Sequence, residues 1–570
     1  MRWESLRPLQ VGAIRAIITT TQNLILAAPT AAGKTEAAFL PILSAIVDRT
    51  QESVHAIYVG PLKALINDQF GRLADLCTHL QLPVYSWHGD ISSNQKSKLI
   101  AKPGGVLLIT PESIESLFVN RASHLKTVFA GLRFIVIDEL HTFLDNERGV
   151  HLRSLLTRLI AKTENPATVR LIGLSATIGD MGVARRYLAP DAAENVVVVE
   201  DTGGGKELKL RTHCYLSDPP QEHQTEEPPD EGFDLLVSDL VNHCRGAANL
   251  VFANSRADVE LLADACRTLG EAQKLPDLFL VHHGSLAADI RRDAEATMKA
   301  GAIATTFCTP TLELGVDIGS VRMIGQVDPP WSVASLKQRL GRSGRRAGEA
   351  QILRMYLRDD RVSPASELFD RLYPGLIRGL ATTELLLAGW IEPPQPLVCD
   401  LSTLTHQILS TIGETGGRGA PELYQALCVE GAFRGIDRPL FVRLLRQLGS
   451  HGAIEQMVEG DLILGSLGER LYRHFTFYAV FQTPESYTLV HDSERLGTLD
   501  VVPEPGQHIL FAARRWLVLD VDPERKEIHV RPARGRKRTR FGGTCWDVAS
   551  SDRGKNARAT PIGEHTTLSR

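Results

Sequence analysis

No two of the eight cysteines stand as a CxxC pair; Cys77, Cys214, Cys244, Cys266, Cys308, Cys399, Cys428 and Cys545 are scattered singly. That spacing excludes a zinc ribbon or a cysteine-held iron–sulfur cluster and points to reduced, structural thiols. Nor is there an uninterrupted apolar run of about twenty residues that would span a bilayer. The opening stretch MRWESLRPLQ lacks the apolar centre of a secretory signal, so a cytoplasmic protein with no membrane partner is expected. Net charge is nearly absent too, at -4 from 63 basic and 67 acidic side chains. Any polyanion would therefore be held by local basic grooves and not by a general field. No nuclease, metal-cluster or methyltransferase constellation is present.

What the chain has is length and pattern. Its 570 residues exceed what one core accommodates and imply about three to five domains. Short apolar runs alternate with helix-like stretches through the first two thirds, as in parallel sheets covered by helices. NLILAA, AIYV, VLLIT, RFIVI and RLIGL read as strands of a first lobe, and NLVFAN, LFLVHH, AIATTFC and RMIGQV as strands of a second. The acidic, proline-containing segment from Ser217 to Asp234 reads as the connection between lobes. Beyond them, PELYQALCVE and PLFVRLLRQL suggest amphipathic helices, and the following LILGSLGERL completes a helix-plus-hairpin pattern that suits a winged helix. From about Tyr487, short strands suggest a small β-domain. The expected limits are 1–212 and 213–378 for the lobes, 379–470 for the winged-helix-like domain, 471–545 for the β-rich domain and 546–570 for a tail with little hydrophobic periodicity.

The segment Ala28, Pro29, Thr30, Ala31, Ala32, Gly33, Lys34 and Thr35 follows a predicted strand and opens a helix, as a phosphate-binding loop does. Its amides and helix N-terminus suit phosphates, Lys34 the β and γ oxygens, and Thr35 a Mg²⁺ ion. Its first position is Ala28 where glycine is usual. RFIVI ends in Asp138 and Glu139, two carboxylates at a sheet's C-terminal edge, where ligands bind. Asp138 suits the metal, directly or through water, and Glu139 suits the attacking water. SAT closes another strand at Ser175 to Thr177. In the second lobe, QRLGRSGRR begins at Gln338 and offers Arg342 and Arg345 as guanidinium groups to meet the charge of phosphoryl transfer.

This ordered set, APTAAGKT, DELH, SAT and QRLGRSGRR, resembles the motifs of superfamily 2 helicases of the DEAD/DEAH type. GPLKAL, the Trp87-His88-Gly89-Asp90 stretch, TPESI, DELHTFLDNERGVHL, HHGSL and TPTLELGVDIG make the chain most similar to the large helicase-related (Lhr) family. The resemblance covers about the first 380 residues strongly and thins toward residue 540. It implies an α/β fold with two RecA-like lobes, followed by a winged-helix-like domain and a small β-rich accessory domain. It further implies ATP and Mg²⁺ as cofactors, Gln10 as the adenine-reading residue, and Asp317 and Gln338 in the interlobe nucleotide site. Pro61, Lys63, Thr110 and Pro111 in the first lobe, and Ser255, Arg256 and Thr309 in the second, resemble positions that hold a phosphodiester backbone without reading bases. Thr110 and Ser255 would serve equally as helix caps. Trp516, among the arginines near the C-terminus, is either a base-stacking ring or part of the β-domain core.

The implied activity is ATP-driven translocation on single-stranded DNA with 3′-to-5′ polarity, unwinding duplexes or RNA:DNA hybrids, with DNA repair as the family-level setting. An RNA helicase and an ATP-gated remodeller that separates no strands are the alternatives. Three departures from the family stand out: Trp331 where a small or polar residue is usual, Arg345 where many members carry histidine, and no sign of the large extension found in longer members.

Overall fold

The computed structural model describes residues 5–29, 32–49, 51–201, 206–217, 230–313, 315, 318–346, 348–364, 366–480 and 486–533. Its first sheet holds β1 (Leu24–Ala27), β2 (Ala56–Val59), β3 (Val84–Trp87), β4 (Val106–Ile109), β5 (Phe134–Ile137), β6 (Arg170–Ser175) and β7 (Val197–Glu200). They lie in the order β3-β4-β2-β5-β6-β1-β7, all parallel. β5, β6 and β1 are neighbours, so the phosphate-loop segment, DELH and SAT leave the sheet side by side at its carboxyl edge. Ala27 pairs with Ser175, and the Ala28 amide donates to the Ser175 carbonyl at 3.1 Å. Parallel strands need crossovers, and the helices that supply them bury both sheet faces. The strands are accordingly continuous apolar runs, buried throughout at β2, β4, β5 and β6.

The second sheet contains β8 (Leu208–Ser217), β9 (Asn249–Phe252), β10 (Phe279–His282), β11 (Thr305–Cys308), β12 (Met323–Val327) and β13 (Gln351–Asp360), in the order β10-β11-β9-β12-β13-β8 and again all parallel. β8 pairs with β13 along its whole length. The chain therefore passes between lobes ahead of Leu208. This corrects the expected connection at Ser217 to Asp234: that segment leaves β8 and returns at the helix Glu231–His243, both in the second lobe. The strand escaped notice because it is an edge, LKLRTHCYLS, with polar residues interleaved and only Tyr215 fully buried.

Helices Leu401–Thr415, Ala420–Tyr424 and Arg438–Ser450 then pack with a three-stranded antiparallel sheet of β14 (Arg418–Gly419), β15 (Ile454–Gln456) and β16 (Asp461–Leu464), the helix-plus-hairpin pattern read from the sequence. The last sheet orders β17 (Tyr487–His491), β18 (Glu494–Leu499), β19 (His508–Phe511), β20 (Arg514–Asp522) and β21 (Glu527–Pro532) as β18-β17-β21-β20-β19. Its buried face merges with the second lobe: Phe511, Trp516, Val518 and Ile528 share one core with Leu236, Leu262 and Phe307. The α/β architecture with two parallel-sheet lobes, a winged-helix-like unit and a β-rich unit is thus the one expected. The tail over 546–570 and the basic run after residue 533 lie outside the described residues. Among the described residues no helix is long and apolar enough to cross a membrane, and the seven described cysteines are free thiols.

Candidate functional site

A cleft of about 300 Å³ opens at the carboxyl edge of the first sheet, with Gln10, Gly33, Lys34, Thr35, Asp138 and Glu139 on one side and Gly315 of the second lobe on the other. Gly33 caps the helix Lys34–Ile46 with φ +81°, a left-handed conformation that side chains resist. A Cβ there would also lie 2.9 Å from Gln10 Nε2. Gln10 itself is buried, and its Oε1 accepts from the Arg7 amide at 3.0 Å. Gly33→Ala is expected to cost about 1–2 kcal/mol of stability from the backbone alone, measurable by urea denaturation, and to displace Gln10 from the cleft.

Lys34 Nζ donates to the carbonyls of Ala28 at 2.8 Å and Pro29 at 3.3 Å. Burial lowers its pKa, opposed by the charges of Glu139 and Asp138, while Arg342 adds to the lowering. The Arg342 guanidinium is therefore within electrostatic reach of the lysine across the lobes. Asp138 is buried and accepts from the Tyr58 hydroxyl and, at 2.9 Å, from the Glu139 amide. Burial first, then the neighbouring Glu139 charge, raises its pKa, so the site favours a cation beside it. Glu139 stands at φ +48°, a strained conformation for a non-glycine residue and one that concentrates at functional sites.

A bond crosses between the lobes. Gln338 Nε2 donates to His141 Nε2 at 2.6 Å and to Thr177 Oγ1 at 2.9 Å. His141 Nδ1 lies 2.9 Å from Ser175 Oγ, which in turn donates to the Thr177 carbonyl. With Ser175 donating onward, Nδ1 carries the proton and Nε2 accepts. Burial and the Lys34 charge press the imidazole pKa down to about 4, so it is neutral near pH 7. Behind Gln338, Arg339 bonds Glu313 Oε2 at 3.0 Å and Gln326 Oε1 at 2.5 Å, and Arg342 donates to the Glu313 carbonyl at 2.7 Å.

Of the expected nucleotide-facing residues, Gln10, Gly33, Lys34, Thr35, Asp138 and Glu139 line this cleft, and Gln338 and Arg342 are not among its lining. Thr30, Ala31 and Asp317 lie outside the described residues. Ala28 is buried at the end of β1, and Pro29 and Ala32 flank the loop. Arg345 is half-buried beyond Arg342 and is not among the residues lining the cleft. Tyr58, His141, Thr177 and Glu313 carry geometry the sequence reading did not assign. His141, Thr177 and Glu313 lie inside DELH, SAT and TPTLELGVDIG, whereas Tyr58 reads as one more residue of an apolar strand.

The backbone-holding candidates follow the carboxyl ends of β2, β4, β9 and β11, on loops or in the first turns of helices. Lys63 is exposed and paired with Asp90 at 2.9 Å. Pro61 and Pro111 are buried, and Thr110 heads the helix Pro111–Arg121 with its hydroxyl on Ser113 Oγ at 3.0 Å. Ser255 caps the helix Arg256–Ala272 through the Asp258 amide at 3.0 Å, and Arg256 reaches Asp500 of the β-rich unit at 2.7 Å. Thr309 is buried, 3.5 Å from Thr311 Oγ1. Of its two readings Trp516 takes the core one, and its place among the strand-binding residues is corrected: it is 3% exposed and its indole N–H donates to the Phe511 carbonyl at 2.8 Å. It is a core ring, since a large aromatic with a local acceptor gains most by burial.

Residues 7–185 match the DEAD/DEAH box helicase family, and residues 233–347 match the helicase conserved C-terminal domain. The chain belongs to the DEAD/DEAH box helicases. It is 31% identical over 379 residues to the ATP-dependent helicase Lhr-Core of Sulfolobus acidocaldarius, which covers 63% of this chain and 42% of that one. It spans about two fifths of the length of the Lhr-Core relatives it matches. Among solved structures it is similar to the Mycobacterium smegmatis helicase Lhr bound to ssDNA and AMP-PNP, at TM-score 0.69 and 26% identity, covering 85% of this chain and 61% of that one. It also shares the fold of the DUF1998 helicase MrfA bound to DNA, at TM-score 0.70 and 21% identity, over 93% of this chain and 71% of that one.

Proposed function

We propose that the chain is an ATP-driven motor that translocates 3′-to-5′ on single-stranded DNA and separates duplexes or RNA:DNA hybrids. The observation that carries this reading is the Gln338–His141–Thr177 crossing, which joins the second lobe to the first beside the cleft of Lys34, Asp138 and Glu139. The buried acidic edge at Asp138, with Thr35 on the same cleft, fits a divalent cation. Mg²⁺ held there by Thr35 and Asp138 would neutralise phosphate charge.

In this reading Gln10 meets the adenine edge, and Gly33 presents its amide to phosphate at the helix N-terminus. Lys34 exchanges its two loop carbonyls for phosphate oxygens. Glu139 orients the attacking water, and Arg342 and Arg345 approach from the second lobe with Asp317 as the lobes close. Lys63, Thr110, Ser255, Arg256 and Thr309 grip the sugar–phosphate chain in both lobes, so alternate closing and opening moves the strand. The working units are a first lobe ending ahead of Leu208, a second lobe fused to the β-rich unit, and a winged-helix-like unit between them in sequence.

The test is unwinding of duplexes with a single-stranded tail at either end, with DNA or RNA in each strand. ATP-dependent separation should require a 3′ tail on the DNA strand and be stimulated by it. Separation from a 5′ tail alone, or ATP hydrolysis stimulated only by RNA, would overturn the assignment of polarity or substrate.

A further inference from the structure

Trp331 stands between β12 and the helix Val333–Leu340 with 78% of its surface exposed. Leaving an indole in water forfeits one of the largest burial gains a side chain offers, so a ring presented this way is commonly a recognition element. The loop that carries it is held at several points. Asp328, at φ +56°, accepts from the Arg358 amide at 3.1 Å and from Arg358 Nε at 2.9 Å. Arg358 Nη2 also reaches Asp258 Oδ1 at 2.9 Å, in the first turn of the helix Arg256–Ala272. The Pro329 carbonyl accepts from Asn254 Nδ2 at 2.9 Å and Arg378 Nη2 at 2.5 Å. After the ring, Glu392 accepts the Val333 and Ala334 amides at 2.6 and 3.1 Å. Strain at Asp328 is thus compensated by a charge network, the usual sign of a loop fixed for a purpose.

These bonds tether the loop that carries the indole to the segment that carries Ser255 and Arg256, since Asn254 and Asp258 flank those two residues in the chain. The Arg378 guanidinium stands 4.9 Å over the ring, orienting it and bringing a cation to the same surface. We infer that Trp331, backed by Arg378, is a stacking platform for a nucleobase of the single strand whose phosphates Ser255 and Arg256 hold. The inference rests on the strand-binding reading above. A base is favoured over a protein partner because the ring shares its mounting with two phosphate-facing groups and carries a cation beside it. Stacking is tolerant of sequence, as a motor needs.

The full chain is to be titrated with an oligothymidylate of about twenty nucleotides and with an abasic strand of equal length. Trp331→Ala is expected to weaken the base-bearing strand about ten-fold, with the abasic strand, the salt slope and the thermal midpoint unchanged; Trp331→Phe keeps most of the affinity. Arg256→Ala weakens both strands alike and lowers the salt slope by about one. Wild-type affinity for oligothymidylate in Trp331→Ala, beside a weakened Arg256→Ala, overturns the stacking role alone. So does equal loss of both strands in Trp331→Ala, or a change in that variant confined to self-association. A wild-type chain that binds neither strand overturns the strand-binding reading itself.

Discussion

Glu139→Gln is expected to lower single-strand-stimulated ATP hydrolysis by about two to four orders of magnitude while ATP still binds. The carboxylate stands at the carboxyl edge of β5 in a left-handed conformation, buried and facing the cleft beside Asp138 and Lys34. Glutamine keeps the shape and the bonds of its amide but loses the base that orients and deprotonates water. Lys34→Ala should fail one step earlier. Its ammonium is pointed into the loop by Ala28 and Pro29 and desolvated by its surroundings, so removal takes away the compact charge that phosphate replaces those carbonyls to meet. Nucleotide affinity and hydrolysis should therefore fall together in Lys34→Ala and separate in Glu139→Gln. Equilibrium binding of a fluorescent ATP analogue beside steady-state hydrolysis reads both. Hydrolysis near the wild-type rate in either variant would remove the cleft from the mechanism, and strand separation should follow hydrolysis in each.

What could be read beforehand depended on how local the physics was. The phosphate loop and the acidic pair are short strings at the ends of buried strands, and β1, β5 and β6 turn out to be neighbours that deliver them to one cleft. Nine strands were legible because burial on both faces makes them continuous apolar runs. β8 and β13 carry polar residues on one side and escaped, which placed the lobe connection too late in the chain. Trp516 illustrates the opposite difficulty: an aromatic among arginines looks like a nucleic-acid surface until its partner across the fold, the Phe511 carbonyl and the second-lobe core, is known. Tyr58 is illegible for a similar reason, since it acts through Asp138, 80 positions away. The crossing from Gln338 to His141 spans 197 positions, and no periodicity reports a contact of that separation.

A second large effect is expected at Glu115, which is not among the residues lining the cleft. This carboxylate is wholly buried on the helix Pro111–Arg121, about one turn beyond the Thr110 and Pro111 pair. It accepts from His151 Nε2 at 2.8 Å within the first lobe, and from Gln407 Nε2 at 2.7 Å and the Ser410 hydroxyl on the winged-helix-like unit. Arg158 extends the network to Gln407, Ser410 and Glu414, and Lys162 also pairs with Glu414. Burial alone would raise the Glu115 pKa, but the His151 hydrogen bond and the Arg158 charge overcome it and hold the carboxyl well below its ordinary range. Glu115→Ala leaves a hydroxyl, an amide and an imidazole without their acceptor, and a guanidinium with less counter-charge. The expected cost is about 3–5 kcal/mol, read as a lower urea midpoint for the first-lobe and winged-helix transition. Because the folded-state pKa is depressed, the stabilisation is complete above the ordinary carboxylate range and fades as pH falls through and below it. Glu115→Gln, which cannot titrate, should therefore flatten the acid side of the stability profile even where it retains much of the packing. The same network sets the angle at which the winged-helix-like unit meets the helix headed by Thr110. In the proposed reading Glu115→Gln should accordingly reduce strand separation more than single-strand-stimulated hydrolysis, because Glu115 is not among the residues lining the nucleotide cleft while a duplex would be parted against a rigidly seated neighbour.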